Sequence, residues 1–566
     1  MYYYKWGGKL LQQWSFLFVL FLVIPQTDSY GQHKEEKQPN RPNILLIISD
    51  DQSWPHAGAY GADWIDTPNF DRIADQGTLF HNAFASAPSC APSRFSILTG
   101  RPFYLNQEGG IHGGFMPNKY PLFTHLLKQN GYHVGATGKD VGPFHTPENE
   151  ELRYKTHPLV TRYNTITNHD RMIHRSGIDY AENFRHFMKK RESEDPFLFI
   201  FNSFEPHRPY KINSGRGQGK TIDQVEVPDF LPDHPEVRAD LLDYAYEIEA
   251  FDKDIGRFIQ ILKETGAYDN TLIIVTSDNG MPFPNAKMQS YEFGHHVPLA
   301  ISWPGQIRPG REVHDLVTLP QLAPTILEVA GIPVPVSMTE PGLYDILTSK
   351  EDGLIKPKND LIAWGKEKHN LARKKNLGYP IRAARTHKYL YIRNFTPERW
   401  PAGNPPYYVD WFWWPGLQTN RTARTILQHM AISPLADILE LGTSQEPSYA
   451  PYFDLHTGKR PEEELYNIQK DPYCLINLAD IPAYSGKVEE LRNRLMTKLK
   501  SEGDPRALGE GEKFDSTPTR FTVPEDPRTG RPIFQHFPSP KSYLPGYKRF
   551  DHSNDSLEAK RLREVQ

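Results

Sequence analysis

The sequence has few of the features that define several common protein classes. It contains only two cysteines in 566 residues, Cys90 and Cys474, which excludes a disulfide-rich scaffold. Its formal net charge is −4, which argues against a generally basic surface of the kind that binds nucleic acid. No sequence period recurs along the chain, so we expect no repeat architecture. The length instead suits one large domain with a sizeable core and a second, smaller domain.

A hydrophobic run long enough to span a membrane is also lacking. The apolar run at 14–24 is too short for a comfortable span, and it follows Lys5 and Lys9 as in a secretory signal. Small residues favour cleavage before Gln32, so we predict that 1–31 is a signal peptide. The mature protein is then expected to be periplasmic or secreted. A retained membrane anchor is the alternative, and no later run predicts a transmembrane helix.

Short apolar runs rich in branched residues alternate with helical patterns over most of the chain. This alternation predicts an α/β fold, in which helices sandwich a large, mainly parallel mixed sheet. A long helix is predicted for 235–264, where apolar residues keep helical spacing. The predicted buried strands lie at 43–49, 133–137, 197–202 and 271–277.

The character of the sequence changes near residue 378. Residues 382–394 predict paired strands and 488–499 predict a helix that packs on a small sheet. We therefore predict a large N-terminal domain at 42–377 and a smaller α+β domain at 378–505. The remaining residues, 506–566, are rich in Pro, Lys and Arg and are expected to form an extended surface tail.

Polar residues follow the predicted strands at the point where each strand ends. The carboxyl ends of the strands in an open α/β sheet share one edge, where ligands bind. The sequence therefore predicts one site that contains three carboxylates, an amide, a lysine and a histidine. These residues are Asp50, Asp51, Lys139, His207, Asp278 and Asn279.

The acidic and amide residues among them predict a metal site. They offer only oxygen ligands, which suit a hard cation such as Ca²⁺ or Mg²⁺ and suit zinc poorly. A single aspartate after a strand is usually a helix cap or a turn residue. Two adjacent pairs, each after a fully apolar strand, favour a metal site instead. The same pattern also fits a phosphatase.

The segment CAPSR at 90–94 predicts the start of a helix. Pro92 falls near the first helical position, and Gly100 falls just past the predicted end. Cys90 thus lies at a helix N-terminus, where backbone N–H groups and the helix dipole favour an anion. Two simpler interpretations of Cys90 are a thiol of lowered pKa and one half of a disulfide with Cys474.

The segment at 90–94, followed by LTGR at 98–101, is similar to the signature of the formylglycine-dependent sulfatase family. Further segments that resemble landmarks of this family lie at 43–52, 277–280 and 464–472. The resemblance implies a fold like that of alkaline phosphatase, with the catalytic sulfatase domain at 42–377. It also implies that a formylglycine-generating or maturase enzyme oxidises Cys90 to an aldehyde.

The resemblance further implies roles for the site residues. The hydrated aldehyde would supply two hydroxyls, one that attacks sulfur and a second that expels sulfate once it is deprotonated. Arg94 would hold the nucleophile, and His207 would protonate the leaving group. His295 would line the substrate mouth, although a structural role fits it equally. The implied ligands of one Ca²⁺ are Asp50, Asp51, Cys90, Asp278 and Asn279. The implied substrate-binding residues are Lys139, His207, Lys287 and His295.

One family landmark is missing. The family has a histidine two positions after the lysine that corresponds to Lys139, and a one-residue deletion removes it here. Asp140 or His145 could replace it as the base for the second hydroxyl. The gap keeps open the alternative of a catalytically inactive, polysaccharide-binding homologue. A phosphatase or phosphonate hydrolase of the alkaline phosphatase superfamily is the other alternative.

The expected substrate is a sulfated oligo- or polysaccharide that carries a sulfate ester or a sulfamate. Within the family, segments such as 141–143 and 278–284 resemble the heparan N-sulfatases (sulfamidases) most, which makes N-sulfoglucosamine the leading single candidate. Aromatic residues crowd into 400–414, and their faces could stack on sugar rings or pack the two domains together. Neither nucleic acid nor a membrane is an expected partner.

Overall fold

The computed structural model describes residues 41–139, 160–168, 177–191, 195–208, 210–369, 373, 377–403 and 450–517. The predicted signal peptide, Asp140, His145 and most of the predicted tail lie outside these ranges. The greater part of the aromatic stretch at 400–414 also lies outside them. No helix within these ranges is both long enough and apolar enough to cross a bilayer.

Most strands are short and buried. In chain order they are β1 (Asn43–Ser49), β2 (Thr78–Phe84), β3 (His133–Gly138), β4 (Thr161–Arg162), β5 (Phe197–Asn202), β6 (Thr271–Ser277), β7 (His296–Ser302), β8 (Arg311–Val313), β9 (Val317–Thr318), β10 (Ile362–Lys366), β11 (Ile381–Arg385), β12 (Tyr389–Asn394) and β13 (Glu463–Asn467). The four strands predicted as buried are confirmed, and β3 is one residue longer than expected.

Within the described residues, nine strands form one mixed sheet in the order β4-β3-β5-β1-β6-β7-β2-β8, with β9 beside β2. The neighbours from β4 to β6 are all parallel, whereas β7 is antiparallel to both β6 and β2. The carboxyl ends of β3, β5, β1 and β6 therefore meet at one edge of the sheet. This arrangement confirms the predicted α/β fold with a mainly parallel mixed sheet.

Helices cover both faces of the large sheet. The α-helices of the described residues are α1 (Pro68–Asp75), α2 (Cys90–Thr99), α3 (Phe123–Gln129), α4 (Tyr180–Lys190), α5 (Pro235–Glu264), α6 (Glu292–His295), α7 (Leu322–Val329), α8 (Tyr344–Thr348), α9 (Ala450–Thr457), α10 (Ser485–Glu502) and α11 (Glu512–Asp515). Ile44 and Leu46 of β1 share a core with α2, α3 and α7, while Leu45 and Ile47 share the opposite core with α1, α4 and α5. Burial on both faces explains why the strands are continuous apolar runs.

A second sheet is formed, among the described residues, by the antiparallel strands β10-β11-β12-β13. Helix α10 packs on it through Leu491, Leu495 and Leu499, so the predicted α+β architecture is present. The first strand of this small sheet, β10, begins at Ile362. The predicted domain boundary after residue 377 therefore falls between β10 and β11. The local sequence of β10 does not reveal this, because its place in the sheet depends on pairing with β11.

Buried contacts hold the small sheet against the large one. Arg385 of β11 donates to both carboxylate oxygens of Glu292 in α6, each over 2.9 Å. Trp364 of β10 stacks on Phe84 of β2 and on His295 of α6. The sheets thus meet next to the segment that precedes Cys90.

Candidate active site

The carboxyl ends of β1 and β6 bring three buried carboxylates together. Asp50 and Asp51 follow β1, Asp278 follows β6, and one oxygen of each lies within 4.8 Å of the others. The Asp51 backbone N–H donates to Asp278 Oδ1 over 3.0 Å. The parallel register sets this contact, because the last residues of the two strands, Ser49 and Ser277, lie side by side.

Asp51 has an unusual backbone conformation for a buried aspartate. Its φ is 76°, in the left-handed region that residues other than glycine seldom adopt. Asn279 Nδ2 donates to Asp51 Oδ1 over 2.8 Å, and Lys287 Nζ donates to Asp51 Oδ2 over 2.6 Å. Such strain persists only where its surroundings determine it, and it is concentrated at functional sites.

The cluster has the properties of a cation site. Asp50, Asp51, Asp278 and Asn279 offer an all-oxygen donor set, as a hard divalent cation requires. Asp50 Oδ1 and Asn279 Oδ1 are buried and accept no hydrogen bond. Burial raises the pKa of Asp278 to about 7, Arg94 opposes this rise, and Asp50 adds to it. A bound cation would favour the ionised form of Asp278, and these residues fit Ca²⁺ or Mg²⁺.

A mixed donor set overlaps the same cluster. Asp50, Cys90 and His207 also place one ligand atom each within 4.8 Å of the others, and nitrogen and sulfur donors suit zinc. A thiol must lose its proton to bind zinc, and the pKa of Cys90 is raised by burial. The oxygen donors therefore define the site better.

Cys90 is the first residue of α2, and it faces the carboxylates. Its sulfur lies 3.7 Å from Asp51 Oδ1 and 3.5 Å from Lys287 Nζ. Burial raises the pKa of the thiol and Asp50 adds to this, whereas Lys139 and Lys287 oppose it. The interpretation of Cys90 as a low-pKa thiol is therefore wrong. Cys90 and Cys474 are both free, which excludes the disulfide.

Each carboxylate is paired with at least one cation, and Asp50 has two, since Arg94 Nη2 lies 3.5 Å from its Oδ1. Arg94 Nε donates to Asp278 Oδ2 over 2.8 Å. Lys139 Nζ lies 2.5 Å from Asp50 Oδ2, and Lys287 pairs with Asp51 as described above. Three positive charges thus balance three negative charges. A bound divalent cation would make the whole cluster net positive, as an anionic substrate requires.

His207 follows β5 and presents one ring nitrogen to the cluster. Its Nδ1 donates to the Arg208 carbonyl over 2.6 Å, and its Nε2 lies 3.7 Å from Asp51 Oδ2. Burial lowers the pKa of His207 to about 4, and Lys287 contributes to this, while Asp51 and Asp50 oppose it. Nε2 is therefore the ring atom that can exchange a proton with a ligand in the cluster.

Nine of the predicted site residues come together in this way. They are Asp50, Asp51, Cys90, Arg94, Lys139, His207, Asp278, Asn279 and Lys287. His295 has contacts of another kind, since its Nδ1 donates to the Ala85 carbonyl over 2.7 Å and its ring stacks on Trp364. These contacts give it a structural place where the two sheets meet. Asp140 and His145 lie outside the described residues.

Asn202 also belongs to the site, and His112 lies near enough to be affected by its charges. Asn202 Oδ1 accepts from Arg94 Nη1 over 2.7 Å and so helps to orient the guanidinium. Asn202 ends β5, so the strand-end pattern that singled out Asp50 also marks it. His112 is held neutral, because burial lowers its pKa to about 3 and the charges of Lys287 and Lys139 lower it too. Nothing in the local sequence marks His112.

The fold and the cluster together define a class of protein. A mainly parallel mixed sheet between helices, with a separate small antiparallel sheet, is a fold like that of alkaline phosphatase, and carboxylates and cations gather at the carboxyl edge of the large sheet. The chain belongs to the sulfatase family, since the Sulfatase family model matches residues 42–332. It is therefore a hydrolase of sulfuric esters or N-sulfo groups.

Comparisons with known proteins show which members of the sulfatase family this chain is similar to. A second family model, "N-sulphoglucosamine sulphohydrolase, C-terminal", matches residues 285–393. The chain is 29% identical to the N-sulphoglucosamine sulphohydrolase of Homo sapiens over 491 residues, which cover 80% of this chain and 89% of the human protein. It is 24% identical to an ulvan-active sulfatase of Formosa agariphila, over 84% of this chain and 78% of that protein.

Solved structures support the fold. A protein bound to its substrate D-glucosamine-2-N,6-O-disulfate superposes with a TM-score of 0.56 at 18% identity, covering 82% of this chain and 98% of that one. The phosphonate monoester hydrolase of Agrobacterium radiobacter superposes with a TM-score of 0.60 at 17% identity, covering 82% and 96%. At these identities the likeness extends to the fold alone.

Proposed function

We propose that this sulfatase cleaves sulfate esters or sulfamates of a sulfated saccharide, with a formylglycine made from Cys90 and one Ca²⁺. The observation that carries the proposal is the position of Cys90 at the start of α2, with its sulfur 3.7 Å from Asp51 Oδ1 and 3.5 Å from Lys287 Nζ. The raised pKa of the unmodified thiol makes it a weak nucleophile. Conversion to an aldehyde by a maturing enzyme would explain how this position becomes reactive.

Asp50, Asp51, Asp278 and Asn279 would hold the Ca²⁺, together with the modified residue at position 90. A divalent cation in such a site supplies positive charge and lowers the pKa of a nearby hydroxyl. The chain keeps this donor set in place through Arg94, which bonds to Asp278 and is itself held by Asn202. Arg94 therefore orients the ligands and adds charge at the nucleophile.

Lys139 and Lys287 would bind the sulfuryl group. Their ammonium groups lie beside Asp50 and Asp51, and that of Lys287 is also 3.5 Å from the Cys90 sulfur. Fixed cations that face the developing negative charge stabilise a transition state without reorganisation. Once the carboxylates ligate a cation, these ammonium groups are available to the sulfuryl oxygens.

His207 would protonate the leaving group. The Arg208 carbonyl holds its Nδ1–H, so the ring orientation is fixed and Nε2 faces the cluster. An imidazole oriented in this way can transfer a proton through its other nitrogen. We assign the opposite task, removal of a proton from the second hydroxyl, to Asp140 or His145.

The substrate we favour is N-sulfoglucosamine within a saccharide chain, with O-sulfated sugars as the second choice. Support comes from the likeness to the human N-sulphoglucosamine sulphohydrolase over 80% of this chain. We further propose that the protein is exported after cleavage of 1–31, where it would meet extracellular polysaccharides.

The first experiment separates the three possible chemistries. The protein is produced with a formylglycine-generating enzyme, peptide mass spectrometry reads position 90, and 4-nitrophenyl sulfate is compared with 4-nitrophenyl phosphate. We expect the aldehyde mass and a preference for sulfate of at least about a hundredfold. Faster phosphate hydrolysis would favour the phosphatase alternative. No turnover by aldehyde-bearing protein would favour an inactive homologue, and full activity with an intact thiol would contradict the nucleophile.

The second experiment identifies the substrate. Matured protein is incubated with heparan, chondroitin, ulvan and carrageenan oligosaccharides, and free sulfate is measured by ion chromatography. Release from N-sulfated heparan fragments supports our choice. Release from O-sulfated sugars alone contradicts the N-sulfate assignment, and release from aryl sulfates alone contradicts a saccharide substrate.

A further inference from the structure

We call the nine residues brought together at the candidate active site the catalytic cluster. A second group of side chains with metal-ligand atoms lies outside this cluster, at the edge of the large sheet. His81 in β2, Glu312 in β8 and His314 just beyond β8 each place one ligand atom within 4.8 Å of the others. We propose that these three residues bind one transition-metal ion, with Zn²⁺ as the best fit. No step of the sulfatase chemistry uses them, so this proposal does not depend on the proposed function.

The strand pairing places the three side chains on one face. Strands β2 and β8 are parallel, with Leu79 beside Glu312 and Phe80 beside Val313. Glu312 and His314 are two residues apart in an extended chain, so their side chains point the same way. The rings of His81 and His314 stack with centroids 4.5 Å apart and planes 15° apart, which brings His81 to this face as well.

The backbone beneath the ligands is held by hydrogen bonds. His296 Nε2 donates to the His81 carbonyl, and Asn82 Nδ2 donates to the His314 carbonyl, each over 2.8 Å. Partners of this kind orient ligand residues before a metal arrives. The site therefore rests on paired strands and not on a loose loop.

The separation of the donor atoms suits zinc. Bonds of about 2.0–2.1 Å in a tetrahedral arrangement put neighbouring ligand atoms about 3.3 Å apart. His81 Nε2 and Glu312 Oε2 form an ion pair 3.3 Å long, which matches this separation. His314 must turn slightly to complete the arrangement, which its exposure permits.

The donor types distinguish this group from the catalytic cluster. Two imidazoles and one carboxylate suit a borderline cation, whereas the all-oxygen catalytic set suits a hard one. Three protein ligands leave a fourth position for water.

The proposal has two consequences. A zinc ion here would tie the three-residue strand β8 to β2 and so stabilise an edge of the large sheet. Zinc found in purified protein would then not show that zinc occupies the catalytic cluster. The two metals must be assigned by variants and not by elemental analysis alone.

The test uses tag-free, full-length protein that is stripped with a chelator and then saturated with Ca²⁺. Zn²⁺ is titrated by calorimetry, and Co²⁺ absorption reports the coordination geometry. We expect one equivalent of Zn²⁺ with a Kd on the order of 1 µM or lower, a tetrahedral Co²⁺ spectrum, and a higher melting temperature with zinc. His314→Ala and Glu312→Gln should each weaken binding about tenfold or more.

Two controls complete the experiment. His125→Ala, on α3, removes a histidine elsewhere and should bind Zn²⁺ as the wild type does. Cys90→Ala should also bind normally, because it changes only the catalytic cluster. Unchanged affinity in both His314→Ala and Glu312→Gln, or loss of binding in Cys90→Ala, would overturn the proposal. Millimolar binding without a tetrahedral spectrum would overturn it too.

Discussion

The catalytic cluster and a second buried group of charges differ in how completely they are hydrogen bonded. We call the second group the ionic cluster, and it consists of Glu367, Arg382, Asp504 and Arg506 around the small sheet. Arg382 donates to both oxygens of Asp504 and to Glu367 Oε1, while Arg506 donates to Glu367 Oε2. Every carboxylate oxygen of the ionic cluster therefore has a partner.

The catalytic cluster is left incomplete. Asp50 Oδ1 and Asn279 Oδ1 accept no hydrogen bond although both are buried. Buried polar atoms are almost always paired, so an unpaired oxygen in a native fold indicates a bound ion or a cost accepted for function. The ionic cluster is thus hydrogen bonded as a structural group of charges would be, whereas the catalytic cluster keeps two oxygens for a further partner. Substitutions in the two clusters should therefore affect different properties.

The largest effect expected from the catalytic side is that of Cys90→Ala. It removes the residue that we propose becomes the nucleophile, so sulfate release should fall by a factor on the order of 10⁴ or more. The melting temperature should change little, because the side chain makes only long contacts at 3.5 Å and 3.7 Å. The matched control is Cys474→Ala, which removes the other buried cysteine and should keep its activity. Equal losses in both variants would contradict the assignment.

Asp278→Asn should give the next largest loss of turnover. It tests whether a change in the catalytic cluster affects activity and not stability. The variant loses a charged metal ligand, so bound Ca²⁺ and turnover should both fall, the latter by about 10³-fold. The stability of the Ca²⁺-free protein should stay the same or rise, since burial already disfavours this charge and raises its pKa to about 7. Elemental analysis, turnover and urea unfolding provide the measurements. Asp252→Asn, in a carboxylate that caps α1, is the control and should keep its Ca²⁺.

Arg382→Met should have the opposite effect to Asp278→Asn, with a large loss of stability and little change in turnover. It leaves the carboxylates of Glu367 and Asp504 buried without their main partner, which should cost about 3–5 kcal/mol of unfolding free energy. Turnover per folded molecule should stay within about threefold of wild type, because no residue of the ionic cluster belongs to the catalytic cluster. Arg308→Met, which changes an exposed arginine, is the control and should leave the free energy of unfolding nearly unchanged. A large loss of turnover in fully folded Arg382→Met would contradict the conclusion that the ionic cluster serves stability and not activity.

The smallest expected effect is the pH dependence of stability that comes from Glu292 and Arg385, the ion pair that joins the two sheets. Burial alone would raise the pKa of Glu292, but the charge of Arg385 and hydrogen bonds from His296 and Arg385 lower it to about 2. The folded value thus lies below the unfolded value of about 4.3. The pair therefore contributes its stability above the unfolded value, and this contribution is lost as the pH falls towards 2.

Unfolding free energies measured between pH 5 and pH 3 should show this loss, which amounts to about 3 kcal/mol once complete. Glu292→Gln should be less stable at pH 6 and should lose this part of the acid dependence. An unchanged acid dependence in Glu292→Gln would show that other carboxylates are responsible.

Much of the fold and of the site could be predicted from the sequence, because the signals are local. Continuous apolar runs marked β1, β5 and β6, since strands buried on both faces have no polar side to alternate with. Asp50, Asp51, Asp278 and Asn279 could be grouped because parallel strands end at one edge. Cys90 stood out through its helix-start context and the segment that follows it.

Other features depend on contacts between distant segments and were decided only by the tertiary structure. Strand β10 joins the small sheet through its pairing with β11, so residue 362 and not 378 begins that sheet. His295 lies next to the site in sequence, yet it stacks on Trp364 and bonds to Ala85. Which polar residues meet in space follows from strand order and register, and these are set by packing of the whole core.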